Sequence, residues 1–110
     1  MKERKPTIKE KDIQKVILEY LKLRKIFAWR QNSGAFKTDA GGFYWIGIIG
    51  APDIFILRKS IIYACEVKNE KGKQSESQKA FQEQFEKAGG VYFIARTLED
   101  VIKKLSPDDV

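Results

Sequence analysis

The sequence predicts an α/β fold, a central mixed sheet flanked by helices, and three features point to it. An amphipathic helical stripe opens the chain, two neighbouring runs of bulky apolar residues bounded by turn signals occupy its middle, and a helix, a strand and a helix close it. At 110 residues, 43% of them apolar, the length suits one domain over 1–110 with a core that needs no disulfide or metal staple. No internal repeat or interdomain linker is visible.

The first helix is predicted from Thr7 or Ile8 to Lys25. Ile13, Val16, Ile17, Tyr20 and Leu21 recur at the spacing of one helical face, and Thr7 with Glu10 three residues on forms a capping box. On a helical wheel Glu10 projects between Ile17 and Leu21, toward the interior or a cleft at its rim. Ile26–Arg30 reads as a strand, and the Gly, Ser, Asn and Asp content of residues 31–42 reads as a loop. The following segment, FYWIGIIG, carries too many glycines to assign. Residues 53–58 (DIFILR) and 61–67 (IIYACEV) are bulky on both alternating faces, which marks strands covered on both sides and places them at the centre of the sheet. A polar loop ends at Ser75, where Gln78 completes a second capping box for a helix over 76–88 that turns Phe81 and Phe85 inward and stops at Gly89-Gly90. Residues 91–95 (VYFIA) form a further strand, and Thr97 caps a last helix bearing Leu98, Val101, Ile102 and Leu105.

Composition narrows the chemistry. The chain has no His, which removes Ser-His-Asp and Cys-His catalysis and His-ligated zinc, and leaves acid–base work to carboxylates, Lys, Tyr or metal-bound water. One cysteine, Cys65, can close neither a disulfide nor a thiolate cage. The apolar stretches are too short to span a bilayer and the N-terminus lacks a signal-peptide core, so a cytoplasmic protein with no membrane partner is expected. The net charge is +6. Residues 1–30 hold ten Lys and Arg against four acids and the remainder is balanced, so the whole excess lies on the first helix and its flanks. Such a surface suits a polyanion, nucleic acid first; a solvated Lys-rich helix face is the plainer alternative.

The central hairpin concentrates the reactive groups. A two-residue turn at Lys59-Ser60 places Asp53 opposite Glu66, and a four-residue turn gives the same register. Directly opposed Cβ atoms lie roughly 4.5–5.5 Å apart on one face, and Lys68 projects from that face as well. Two carboxylates about 5 Å apart repel by on the order of 3 kcal/mol at an effective dielectric near 20, unless one protonates or a cation joins them. A donor set of oxygens alone favours Mg²⁺ or Mn²⁺. The alternative is an acid pair at the edge of a sheet, partly neutralised by Lys68.

Further motifs accompany this trio. Glu10 precedes the apolar stripe of the first helix, Gly50-Ala51-Pro52-Asp53 leads into the hairpin, Glu66-Val67-Lys68 follows it, and Ser75-Glu76-Ser77-Gln78 opens the next helix. Together they resemble the PD-(D/E)XK nuclease signature, and within it the chain is similar to the virus-type replication-repair nuclease (VRR-NUC) domain over nearly its whole length. The resemblance implies a restriction-endonuclease-like αβββαβ core and metal-dependent hydrolysis of phosphodiester bonds in DNA, selective for Holliday junctions or flaps. It implies that Asp53, Glu66 and the Val67 carbonyl ligate Mg²⁺, for which Mn²⁺ substitutes. Glu10 would complete the site, Lys68 would handle the attacking water, and Gln78 would approach from its helix N-terminus. For Glu10 and Gln78 the capping boxes are the alternative role. Lys9, Lys11, Lys15, Arg30, Lys37, Lys71 and Lys73 are the expected DNA contacts, and the aromatics of residues 29–45 would either stack on bases or form core and subunit contacts. So small a nuclease is expected to act as a homodimer on branched DNA. The rival readings are a non-catalytic DNA-binding module and a sequence-specific nicking or restriction endonuclease.

Overall fold

The computed structural model describes residues 7–105, so the basic residues Lys2, Arg4 and Lys5 lie outside the described part. Among the described residues nine elements follow in chain order: α1 (Glu10–Leu23), β1 (Phe27–Arg30), β2 (Gly34–Lys37), β3 (Phe43–Ile46), β4 (Ile54–Arg58), β5 (Ile61–Val67), α2 (Glu76–Lys87), β6 (Val91–Ala95) and α3 (Leu98–Leu105). Four strands form a mixed sheet in the order β1-β4-β5-β6, with β4 and β5 central as their two-sided apolar pattern requires. The β4–β5 hairpin is antiparallel; β6 runs parallel to β5, and α2 supplies the crossover that a parallel pair needs.

Each face of the sheet has its own core. On one, Ile13, Ile17 and Leu21 of α1 and Val101 and Leu105 of α3 pack against Ile54 and Ile56 of β4 and Tyr63, Cys65 and Val67 of β5. On the other, Phe81 and Phe85 of α2 cover Phe55, Ala64 and Tyr92. Side chains alternate across a strand, so Cys65 belongs to the first core while its neighbour Glu66 faces the α2 side. Burial pushes the Cys65 thiol well up, with the charges of Asp53 and Glu66 adding to the rise, so it stays an uncharged core residue. Among the described residues no helix is long and apolar enough to cross a membrane.

Two elements depart from expectation. The first helix begins at Glu10 with Lys9 as its N-cap and no side-chain cap, so the Thr7–Glu10 capping box is absent. The Glu10 carboxylate accepts instead from the Asn69 amide at 3.3 Å. The helix ends in a Schellman motif in which the Lys25 and Ile26 amides donate to the Lys22 and Leu21 carbonyls and Lys25 takes a φ of 56°. The second departure is a strand within residues 31–42. Its polar and small residues read as loop, but Gly34–Lys37 pairs antiparallel with Phe43–Ile46. The Thr38 amide and hydroxyl close the turn on Gly42, and Phe36 stacks on Tyr44 at 5.9 Å. This two-stranded ribbon stands apart from the main sheet and leaves Phe43, Tyr44 and Trp45 exposed.

Candidate active site

The β4–β5 register decides the geometry. Ile54 pairs with Cys65 and Arg58 with Ile61, and continuing the ladder by one residue sets Asp53 opposite Glu66. The turn is the two-residue one, with Lys59 at φ 51° and Ser60 at φ 68°. Asp53 is fixed from two directions. Its Oδ2 accepts from the Val67 amide at 2.8 Å, and its carbonyl accepts from the Gln31 amide at 2.7 Å. The approach to Asp53 depends on Gly50, which holds a φ of 81° and lies so close to α2 that a Cβ there would run into the Ser77 carbonyl and sit 3.0 Å from the Gln78 amide. The glycine of the Gly-x-Pro-Asp run is therefore the seat on which the N-terminus of α2 rests, with Pro52 fully buried beside it.

Glu66 is 3% exposed and is the buried charged side chain among the described residues. Its Oε2 lies 3.9 Å from the Lys68 ammonium, while its Oε1 is buried without a hydrogen-bond partner. Burial first, then a hydrogen bond to Asp53 and the Asp53 charge, raise its pKa to about 9, against a lowering pull from Lys68 and with a smaller push from Glu10. Lys68, 11% exposed at its side chain, completes the group on the sheet face. On β6, across the same face, burial pushes the Tyr92 phenol up to about 12, against the lowering hydrogen bond from Gln74 and with the Glu66 and Asp53 charges adding to the rise.

The remaining predicted residues are placed unevenly. Glu10 comes close enough for its charge to act on Glu66, yet its Oε2 is engaged by the loop after β5. Gln78 makes the predicted capping box: its Oε1 accepts from the Ser75 amide at 2.8 Å and its own amide donates to Ser75 Oγ at 3.2 Å. Its carbonyl oxygen is thus turned back onto its own helix. Val67 meets the site through its amide, and its side chain is buried in the first core. Lys9, Lys11, Lys15, Arg30, Lys37, Lys71 and Lys73 are all exposed. A groove of about 640 Å³ runs beside α1, lined by Lys11, Lys15, Lys22 and Arg30 against Asp12 and Glu19, a net basic surface that includes none of the site carboxylates. Sequence reasoning missed Asn69, Gln74, Tyr92 and Arg96, whose contacts with the site's surroundings join parts of the chain 18 to 59 residues apart.

Among the described residues, no three Asp, Glu, Cys or His side chains form a ready cation cluster. The pair Asp53 and Glu66 nonetheless suits a hard divalent ion: two apposed carboxylates, one with a buried oxygen lacking any partner, are the donors such an ion takes. No protein-family model and no curated protein sequence matches the chain. A solved structure described as a VRR_NUC domain is similar at a TM-score of 0.62 and 22% identity, covering 88% of this chain and 94% of that one. With its four-strand mixed sheet and flanking helices, this chain has the fold of that VRR_NUC domain.

Proposed function

We propose that this protein is a divalent-cation-dependent DNA endonuclease whose centre is Asp53, Glu66 and Lys68. The observation that carries the reading is the buried, partnerless Glu66 Oε1 beside Asp53, in a chain with the fold of a VRR_NUC domain. Asp53, Glu66 and the Val67 carbonyl would hold Mg²⁺, with Mn²⁺ substituting and Glu10 extending the site. The ion, when bound, polarises a phosphate and makes a water acidic. The protein's own groups do the rest. The Val67 amide, donating to Asp53 Oδ2, holds the Asp53 carboxylate in place beside Glu66, and the Lys68 ammonium would orient the attacking water or offset charge that develops on the phosphorus centre. Gln78 in this reading supports α2 as a cap, and its approach to the phosphate would require release from Ser75.

DNA would be gripped by Lys9, Lys11 and Lys15, by Arg30 and Lys37, and by Lys71 and Lys73 on the loop after β5. The basic groove beside α1 supports this assignment. Preference for junctions or flaps, and a homodimer presenting two sites to two strands, belong to the same proposal. The exposed aromatic ribbon β2–β3 supports the dimer, because an isolated two-stranded hairpin is marginal in water and gains from being covered. Labelled linear, flap and four-way-junction DNA, incubated with Mg²⁺ and with EDTA, tests the activity. Cleavage should need the ion and vanish in Asp53→Ala and Glu66→Ala while DNA binding persists; either variant cutting at the parent's rate would reject the site. Sedimentation of a fully active monomer would reject the dimer.

A further inference from the structure

We infer that Arg96 is a positioning residue for Lys68, acting through the loop of residues 69–72; the inference rests on the nuclease reading above. Parallel pairing brings the two together. Val67 is in register with Ala95, and the Lys68 amide donates to the Ala95 carbonyl at 3.1 Å, so the residue after β6 emerges beside the residue after β5. Arg96 is anchored there by its own amide, which donates to Asp100 Oδ2 at 2.8 Å. Its Nη1 then donates to two carbonyls of the loop, Asn69 at 2.6 Å and Gly72 at 2.9 Å. A charged donor shared by two carbonyls holds them more firmly than neutral partners would.

The loop so held lies alongside Lys68. Asn69 Oδ1 tightens it by accepting from the Lys71 and Gly72 amides at 3.0 and 2.8 Å. Gly72 is thereby packed so closely that a Cβ on it would lie 3.2 Å from Lys68 Cδ, 3.3 Å from Lys68 Cβ and 2.7 Å from Glu10 Oε2. The Asn69 amide donates to the same Glu10 oxygen. The Lys68 stem therefore has the loop backbone as one wall, and Arg96 decides where that wall stands. Arg96 itself touches none of the reacting groups.

The test compares Arg96→Met, Arg96→Lys and Gly72→Ala with the parent, in single-turnover cleavage and in DNA binding. Arg96→Met should lower the cleavage rate at saturating DNA at least tenfold with binding changed less than twofold. Arg96→Lys, which keeps a charged donor, should recover most of the rate. Gly72→Ala, which crowds Lys68 from the loop side while keeping the arginine side chain, should reproduce the loss. In a Lys68→Ala background, with Mn²⁺ to keep the residual rate measurable, Arg96→Met should cost threefold or less. An undiminished tenfold loss in that background, or a folded Arg96→Met cutting at the parent's rate, would overturn the inference. Amide hydrogen exchange separates its failure from that of the nuclease reading. A parent that cuts no DNA would reject the activity, whereas Lys71 and Gly72 amides that exchange no faster in Arg96→Met would reject the clamp itself.

Discussion

Replacing Glu66 with Gln should stabilise the protein in EDTA while ending cleavage, and the gain should grow with pH. The folded carboxyl titrates near 9, against 4.5 for the free side chain, chiefly because of burial and then Asp53. With the folded pKa above the unfolded one, the carboxyl favours the native state fully below pH 4.5. That contribution is lost as pH rises toward 9, at about 1.4 kcal/mol per unit. At pH 7 the parent thus carries a penalty of about 3 kcal/mol at most. Gln has nearly the same shape, never ionises, and can donate to the Asp53 carboxylate. For a domain of this size the difference amounts to a melting-temperature gain on the order of 10 °C at pH 7, shrinking toward nothing near pH 5. Calorimetry of both proteins from pH 5 to pH 9 in EDTA reads it directly. Mg²⁺ should then stabilise the parent most at high pH and leave Glu66→Gln unmoved. Parallel stability curves for the two proteins, or a variant less stable than the parent at pH 8, would refute the reasoning.

Gly50→Ala should cost more than 2 kcal/mol in urea unfolding, since a methyl there meets the Ser77 carbonyl in a backbone region costly for any L residue. It should also weaken Mg²⁺ binding, which titration calorimetry would show, by displacing the approach to Asp53. Lys25→Gly should raise stability by about 0.5–1 kcal/mol in the same unfolding assay, because the C-terminal turn of α1 asks for a left-handed residue and has a lysine there. Lys11→Gln with Lys15→Gln should lower the slope of log binding constant against log salt by about 2, measured by fluorescence anisotropy on duplex DNA. An unchanged slope would place the DNA elsewhere than the groove beside α1.

What could be read from the sequence divides along a physical line. Strands β4 and β5 were legible because residues buried on both faces must be bulky on both, and their register followed because either short turn at Lys59-Ser60 gives the same pairing of Asp53 with Glu66. The capping box at Ser75 and the stop at Gly89-Gly90 are local devices, and both appear as predicted. The β2–β3 ribbon escaped notice because its strands are four residues long and its first two residues are Gly and Ala. Its pairing is decided by the Thr38–Gly42 turn and ring stacking rather than by burial. The Thr7–Glu10 box failed for a related reason: a local partner for Glu10 was visible, whereas the Asn69 amide, 59 residues away, was not.

The placement of Glu66 explains how the proposed centre would work without histidine. A carboxylate in water has an ordinary pKa and needs no partner; one buried on the α2 face next to Asp53 must either hold a proton or share a cation. The two cores enforce that choice. The first fixes Ile54, Cys65 and Val67, and through strand alternation turns Asp53, Glu66 and Lys68 to the opposite side. The second covers that side with Phe81 and Phe85, and Glu66 Oε1 is buried there without a hydrogen-bond partner. Moving β5 by one residue would put Cys65 or Val67 in the place of Glu66, so the packing that holds the sheet together also keeps Glu66 opposite Asp53. A variant that loosens the first core without touching the site, such as Ile17→Ala, should therefore lose about 2–5 kcal/mol of stability in urea unfolding. Once refolded by stabilising osmolyte it should bind Mg²⁺ as the parent does, because Ile17→Ala leaves both the β4–β5 register and the Gly50 approach to Asp53 in place.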